Sequence, residues 1–172
     1  MVIDTPNQVS GNLAGYTRPE LIVARLREYE PAGVIGELSQ LLHRQGYVRN
    51  VLSFYNAVLN HEFLSNSGNA VGIAIPHGRD VNVSRLIFAV GRTSEPIVWG
   101  IKGAWPVQLV FLVAIPATGE LDYLHLLSRL ARLCQKQEML RKLCRATDGA
   151  AMWRVLEESE REELPGGSRP QR

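Results

Sequence analysis

Cysteine is scarce in this chain, since its 172 residues include only Cys134 and Cys144. Two cysteines supply neither the disulfide framework of a small secreted domain nor the ligands of a structural zinc site. We therefore expect both to be reduced, partly buried thiols of a cytoplasmic protein. Long hydrophobic runs are also lacking: no stretch approaches the ~20 residues of a membrane span, and Met1 is not followed by a signal sequence. Direct membrane insertion is not expected.

The net charge is small too, because 19 Lys and Arg residues and 17 Asp and Glu residues leave a formal net charge of +2. The basic residues are scattered, which gives no argument for nucleic-acid binding. The chain has no Gly-x-Ser-x-Gly elbow of a hydrolase and no P-loop for a nucleotide. Its four histidines lack close ligand spacing, so neither a metal nor another cofactor is predicted: they are His43, His61, His77 and His125.

The hydrophobic pattern of the chain is typical of one globular domain. Its residues are 45% hydrophobic, and along the sequence predicted helices precede and follow the predicted strands. The nearly continuous apolar run from Val107 to Ile115 predicts a central strand buried on both faces. We expect an α/β sandwich, with a mixed β-sheet flanked by helices on both faces. A brief helical turn is predicted over 17–20, helices over 31–44, 50–61, 121–135, 138–145 and 149–158, and strands over 21–26, 71–75, 85–92, 97–99 and 107–115. Residues 1–15 are predicted to be a flexible arm, 16–158 the domain, and 159–172 a flexible tail.

The segment from Gly68 to Arg79 is the most informative in the chain. Val71, Ile73 and Ile75 alternate with small residues, which predicts a short strand that Pro76 ends. His77 would then lie on the loop at the exit of the strand, where a rigid scaffold often holds a reactive side chain. On this local pattern alone, a histidine beside proline is more often a turn residue than a catalytic one.

The run Gly-Ile-Ala-Ile-Pro-His-Gly-Arg, from Gly72 to Arg79, resembles the phosphorylation motif of enzyme IIA of the bacterial phosphotransferase system. The likeness is to the fructose/mannitol type, which includes nitrogen-regulatory proteins, and extends from about Tyr16 to about Glu158. It implies the same α/β architecture and a phosphoryl carrier in which His77 accepts the group from the phosphocarrier HPr. The acceptor would be a cysteine of an EIIB domain, or the phosphorylated state would itself be a regulatory signal.

The resemblance also implies roles for two other histidines. The segment around His125 is similar to a His-Leu-x-x-Leu-Ser-like segment whose histidine approaches the phosphorylated one, so His125 would stabilise or orient the phosphoryl group. Without the family, His125 would be interpreted as a histidine on a helix shoulder. The family commonly has Arg-Glu sixteen residues before its active histidine, and here His61-Glu62 stands at that place. His61 therefore replaces an arginine that faces the phosphate, and an imidazole is only partly protonated at neutral pH.

Three further residues are candidates for holding the phosphoryl group: Ser67, the backbone around Gly68, and Arg79, for which a solvated loop arginine is the favoured interpretation. Two functions stay open. One is the phosphoryl carrier, with regulation favoured by the missing arginine and by the short form without a fused EIIB or membrane domain. The other is a non-catalytic interaction module that has kept the fold and lost efficient phosphorylation. An oligomer is compatible with the sequence, which does not specify a sugar or a regulatory target.

Overall fold

The computed structural model describes residues 12–100 and 105–161. Five helices and five strands make up these two segments, with short 3₁₀ helices at Leu13–Tyr16 and Pro19–Leu21. The helices are α1 Pro31–Arg44, α2 Val51–Ser65, α3 Glu120–Leu133, α4 Gln137–Arg145 and α5 Gly149–Glu158. The strands are β1 Ile22–Val23, β2 Ile73–Ala74, β3 His77–Asp80, β4 Ile87–Trp99 and β5 Trp105–Pro116. None of the helices within these segments is long and apolar enough to cross a membrane.

The strands form one mixed sheet in the order β1-β4-β5-β2. Strand β3 also pairs with β5, farther along that strand than β2 does. Strands β4 and β5 are antiparallel, whereas β1, β2 and β3 run parallel to their neighbours. Side chains of β5 alternate between the two faces, so that Phe111 and Val113 enter one core and Val110 and Leu112 the other. The prediction of a central strand buried on both faces is therefore confirmed.

Two hydrophobic cores lie on opposite faces of this sheet. One packs α1 and α2 against it through buried residues such as Leu38 and Phe54. The other packs α3, α4 and α5 through residues such as Leu130 and Met152. The predicted sandwich with helices on both faces is confirmed.

Several predicted boundaries were wrong. The piece at 97–99 is not a separate edge strand: it continues β4 beyond an irregularity between Arg92 and Ile97 and pairs with β5. Helix α2 runs four residues past the predicted end at His61, and stops at Asn66, whose φ of 40° is left-handed. The strand predicted over 21–26 is reduced to the two residues of β1.

Some residues that were assigned to the flexible arm and tail are packed in the structure. Residues 1–11 and 162–172 lie outside the described residues, but Leu13 is only 1% exposed and its amide donates to the Glu160 carboxylate. Ser159 is buried as well, and its hydroxyl donates to the carbonyl of Leu156. Leu13 and Ser159 thus pack into the core, and the flexibility predicted for the arm and the tail stays a prediction.

Helix α2 lies directly on β3 because Gly78 has no side chain. A Cβ at this position would lie 2.6 Å from Cγ2 of Val58 and 3.1 Å from its backbone nitrogen. Gly78 lies within β3, and its lack of a side chain permits this close approach. The contact brings the C-terminal half of α2 beside the first residue of β3.

We expect Gly78→Ala to lower the free energy of unfolding by about 1–3 kcal/mol, because the new methyl group forces α2 away from the sheet. Gly36→Ala is the matched control, since its new Cβ meets only the Tyr55 ring, at 3.5 Å. On helix propensity, that variant should be unchanged or more stable by up to ~1 kcal/mol. Urea denaturation of both variants measures the difference, and equal stabilities would contradict the packing role of Gly78.

Candidate functional site

His77 is the first residue of β3, at the edge of the sheet, and not part of a loop as the sequence predicted. Pro76 does interrupt the ladder after β2, but its carbonyl accepts a hydrogen bond from the Val113 amide at 2.9 Å. The chain can therefore resume pairing at once, with His77 opposite Val113. This places the imidazole on a rigid strand, within reach of groups from α2 and α3.

The hydrogen bonding of His77 identifies its free nitrogen. Nδ1 lies 3.1 Å from the Ile75 carbonyl oxygen, which can only accept, so Nδ1 carries the proton. Nε2 then keeps its lone pair and has no hydrogen-bond partner among residues 12–100 and 105–161. Burial lowers the pKa of His77, and the nearby His61 lowers it further, against opposing effects of the Ile75 carbonyl and Glu62. The ring is therefore neutral at pH 7, with a nucleophilic nitrogen available.

His61, one turn before the end of α2, stands against His77. The ring centroids are 4.1 Å apart and the planes are tilted by 48°. The Ser65 hydroxyl donates to the His61 carbonyl at 2.9 Å, so its oxygen accepts from Nδ1 of His61 at 3.1 Å. Nε2 of His61 is thereby left open, and since the side chain is exposed it can take up a proton from solvent. The two imidazoles thus offer a neutral nucleophile beside a group that can become a cation.

Glu62 fixes this end of α2 to the sheet. Its Oε1 accepts from the Trp99 indole and from the Ser67 amide, both at 2.7 Å. The Gly68 amide donates to the Asn66 side chain at 3.1 Å. Both loop amides are therefore already bonded, and the help expected from the backbone around Gly68 in holding a phosphoryl group stays a prediction. The Ser67 hydroxyl is buried and has no partner in the described part of the chain.

On the other side of His77, Tyr123 of α3 takes the place that the sequence assigned to His125. The Tyr123 ring centroid is 6.2 Å from that of His77, and the guanidinium of Arg79 lies 5.6 Å from the same tyrosine ring. Arg79 also donates to the carbonyls of Pro116 and Ala117. The guanidinium of Arg79 is therefore held in place by the tyrosine ring and the two backbone carbonyls.

His125 is exposed, and no hydrogen bond or ring contact joins it to His77 within the described segments. Successive helical residues turn by ~100°, so two positions separate Tyr123 from His125 by roughly 200°. The sequence thus pointed to the helix that meets His77, and the role of His125 stays a prediction. The signal that could have found Tyr123 is its spacing of three and seven residues from Leu126 and Leu130, which are buried.

The site offers histidine nitrogens but no cluster for a metal, since no group of three or more His, Cys, Asp or Glu residues in the described segments is arranged to hold one. The arrangement can perform nucleophilic attack by one imidazole beside a second imidazole that is open to solvent.

Comparisons with known proteins identify a family. Residues 16–159 match the family described as "Phosphoenolpyruvate-dependent sugar phosphotransferase system, EIIA 2". A nitrogen regulatory protein of Bradyrhizobium diazoefficiens is 32% identical over 108 residues, covering 63% of this chain and 71% of that protein. A fructose-specific EIIA component of Haloferax volcanii is 31% identical over 126 residues, covering 73% and 82%. The fructose-specific EIIABC component of Bacillus subtilis is 27% identical over 140 residues, but this chain spans only 22% of that protein's length and 81% of its own.

Solved structures share the fold. The nitrogen regulatory protein IIA-Ntr of Neisseria meningitidis superposes with a TM-score of 0.76 at 24% identity, covering 84% of this chain and 98% of that one. Enzyme IIA for mannitol of Escherichia coli, in complex with its phosphorylated enzyme IIB, gives 0.67 at 18% identity, with 81% and 95% covered. With the match to the family model, which covers most of the chain, these findings establish that the protein belongs to the EIIA 2 family of the phosphoenolpyruvate-dependent sugar phosphotransferase system.

Proposed function

We propose that this protein is a phosphoryl carrier in which Nε2 of His77 accepts the group from an HPr-like phosphocarrier. In this step a bond forms between Nε2 and phosphorus while the bond from phosphorus to the nitrogen of the donor breaks, and that nitrogen keeps the electron pair. Nδ1 of His77 keeps its proton on the Ile75 carbonyl throughout. The resulting phosphoramidate is labile enough to pass the group onward.

The observation that carries the proposal is the unpaired Nε2 of a neutral histidine on the edge strand. Phosphoryl transfer needs little covalent chemistry beyond positioning and charge stabilisation. The bond to Ile75 fixes the orientation of the ring, and burial keeps its proton affinity low enough for attack near pH 7. A turn histidine in solvent would have neither property.

His61 supplies the charge in this proposal. A phosphoryl group on His77 is a dianion, and it favours the protonated form of an imidazole whose ring centre is 4.1 Å from that of His77. The protonated ring can then donate from Nε2 to a phosphoryl oxygen. Tyr123 closes the opposite wall and positions Arg79 at the rim.

The partners follow from the same chemistry. The donor is an HPr-like phosphocarrier, and the acceptor is the cysteine of an EIIB domain or, in the regulatory version, a target protein that reads the phosphorylated state. The structurally similar IIA for mannitol was solved with its phosphorylated enzyme IIB, which supports the first choice. The nitrogen regulatory relative supports the second. We place the exchange in the cytoplasm.

The test is incubation with enzyme I, HPr and phosphoenolpyruvate, followed by intact mass and peptide mapping. We expect an acid-labile gain of one phosphoryl group on the peptide that contains His77. No gain in a folded sample, beside a known EIIA that is labelled under the same conditions, would overturn the carrier function.

One observation favours a second candidate, a non-catalytic interaction module. The family's arginine is replaced by His61, and Arg79 donates to two backbone carbonyls. The module would use the same surface to bind a partner without taking up phosphate. In that case the unlabelled protein should still bind HPr or an EIIB domain, as measured by calorimetry.

We expect Tyr123→Ala to lower the rate of phosphorylation about two- to fivefold, because it removes one wall of the site and a cation–π contact worth ~0.5–1 kcal/mol. His125→Ala should stay within about twofold of the parent, since that side chain is exposed and turned away on the helix. Single-turnover labelling by phospho-HPr compares them. A larger loss for His125→Ala than for Tyr123→Ala would contradict the placement of these two residues.

A further inference from the structure

A polar pocket lies at the edge of the sheet opposite His77, where β1 pairs with β4. Its volume is about 360 Å³, and its walls come from the end of β1, the irregular part of β4, β5 and the chain around α4. The irregularity between Arg92 and Ile97 creates it, because β4 leaves its regular pairing with β5 there. Gln108 donates to the Thr93 carbonyl across the gap at 3.3 Å, which holds the floor in place.

Arg92 is held rigidly in the wall of this pocket. Nε donates to the Ala24 carbonyl at 3.0 Å and Nη1 to the Leu143 carbonyl at 2.7 Å. Nη2 has no hydrogen-bond partner among residues 12–100 and 105–161, and it is not among the buried unpaired atoms there. Since both acceptors are neutral carbonyls, the guanidinium keeps its full charge and one free donor nitrogen.

The rest of the lining suits a negative ligand. Arg25 brings a second guanidinium, exposed and without a partner in the described segments, and Ser94 and Thr147 bring hydroxyl groups. No carboxylate of the described residues lines the pocket. The residue that follows Thr147 in sequence, Asp148, is acidic, but its carboxylate caps α5 by accepting a hydrogen bond from the Ala151 amide. Two cations without a counter-charge, beside neutral hydroxyls, form a site complementary to an anion.

We propose that this pocket binds a small oxyanion ligand, a phosphate or carboxylate group, between the guanidinium groups of Arg92 and Arg25. Arg92 is pre-organised by its two carbonyl bonds, so little conformational freedom is lost on binding. The volume is at the low end for ligand pockets, which fits a metabolite-sized anion and not a peptide. The Cys144 thiol in the wall stays protonated, because burial raises its pKa more than the charge of Arg92 lowers it. It therefore adds no competing negative charge.

The test is a titration of the isotope-labelled protein with inorganic phosphate and, separately, with citrate, at constant ionic strength set with potassium chloride. Amide shifts are followed by NMR at Arg25, Ser94 and Thr147. We expect saturable shifts there, and Arg25→Ala should raise the dissociation constant about fivefold or more. Arg27→Ala is the matched control, because that arginine is also exposed and does not line this pocket. The stronger of the two probes identifies the ligand as phosphate-like or carboxylate-like.

Three results would overturn the proposal. They are equal dissociation constants for Arg25→Ala and Arg27→Ala, equal shifts with potassium chloride alone, and saturable shifts confined to residues around His77. The experiment needs no phosphocarrier partner, so its outcome does not depend on whether His77 is phosphorylated.

Discussion

We expect His77→Ala to abolish the acid-labile phosphoryl group that, in the proposed function, phospho-HPr transfers to this protein. The expected loss is complete within detection, because no other described imidazole combines a neutral ring, a fixed orientation and a free nitrogen on a strand. His61 cannot replace it, since its exposed ring is oriented only by a bond to Ser65. Intact mass after incubation with enzyme I, HPr and phosphoenolpyruvate measures the effect.

The matched control is His43→Ala, the same substitution at an exposed histidine near the end of α1, whose Nδ1 contacts the Val48 carbonyl. It should be labelled like the parent. Circular dichroism shows whether each variant is folded. Normal labelling of a folded His77→Ala protein would assign the phosphoryl group to another residue.

We expect His61→Arg to raise the rate of the proposed phosphoryl transfer about tenfold or more. A permanent cation with two donor nitrogens replaces an imidazole that is charged only part of the time, and one charge-assisted hydrogen bond contributes ~1.5–3 kcal/mol. The position is exposed at the end of α2, so the longer side chain fits without repacking the core. Single-turnover labelling by phospho-HPr gives the rate, with His43→Arg as the control that adds the same charge elsewhere.

The pH profile tests whether His77 is still the nucleophile in this variant. The parent rate should rise from acid pH as His77 loses its proton, with a midpoint below the ordinary histidine value of ~6.5, because burial lowers the pKa of His77. His61→Arg should keep this rise on the acid side and raise the rate across the profile. An unchanged rate would instead favour the interaction module.

The sequence predicted the layers of the fold well because hydrophobic alternation carries that information. The run from Val107 to Ile115 became β5, and the stripe on 31–44 became α1. It predicted less well where a single residue decides a boundary. Helix α2 continues to Ser65 since nothing before Asn66 breaks it, and β3 begins at His77 because Pro76 loses a donor but keeps its carbonyl.

At the site, the motif pointed to His77, and the structure places the ring centroid of His61 4.1 Å from that of His77. The resemblance led to His125 and not to Tyr123, although only Tyr123 has the spacing of three and seven residues to the buried Leu126 and Leu130. The sequence could not show that Glu62 already engages the amide of Ser67, since that bond depends on the loop closing onto the carboxylate. Spacing indicates which elements meet, whereas their rotation is decided by packing.

The bond from His77 to the Ile75 carbonyl also determines the chemical form in which phosphate would be kept. With Nδ1 occupied by its proton, only the nitrogen farther from the backbone is open to phosphorus. The product of the proposed transfer would be the 3-phosphohistidine isomer and not the 1-phosphohistidine isomer. Antibodies and NMR couplings tell these two regioisomers apart, so a backbone carbonyl two residues away leaves a readable chemical signature on the modified protein.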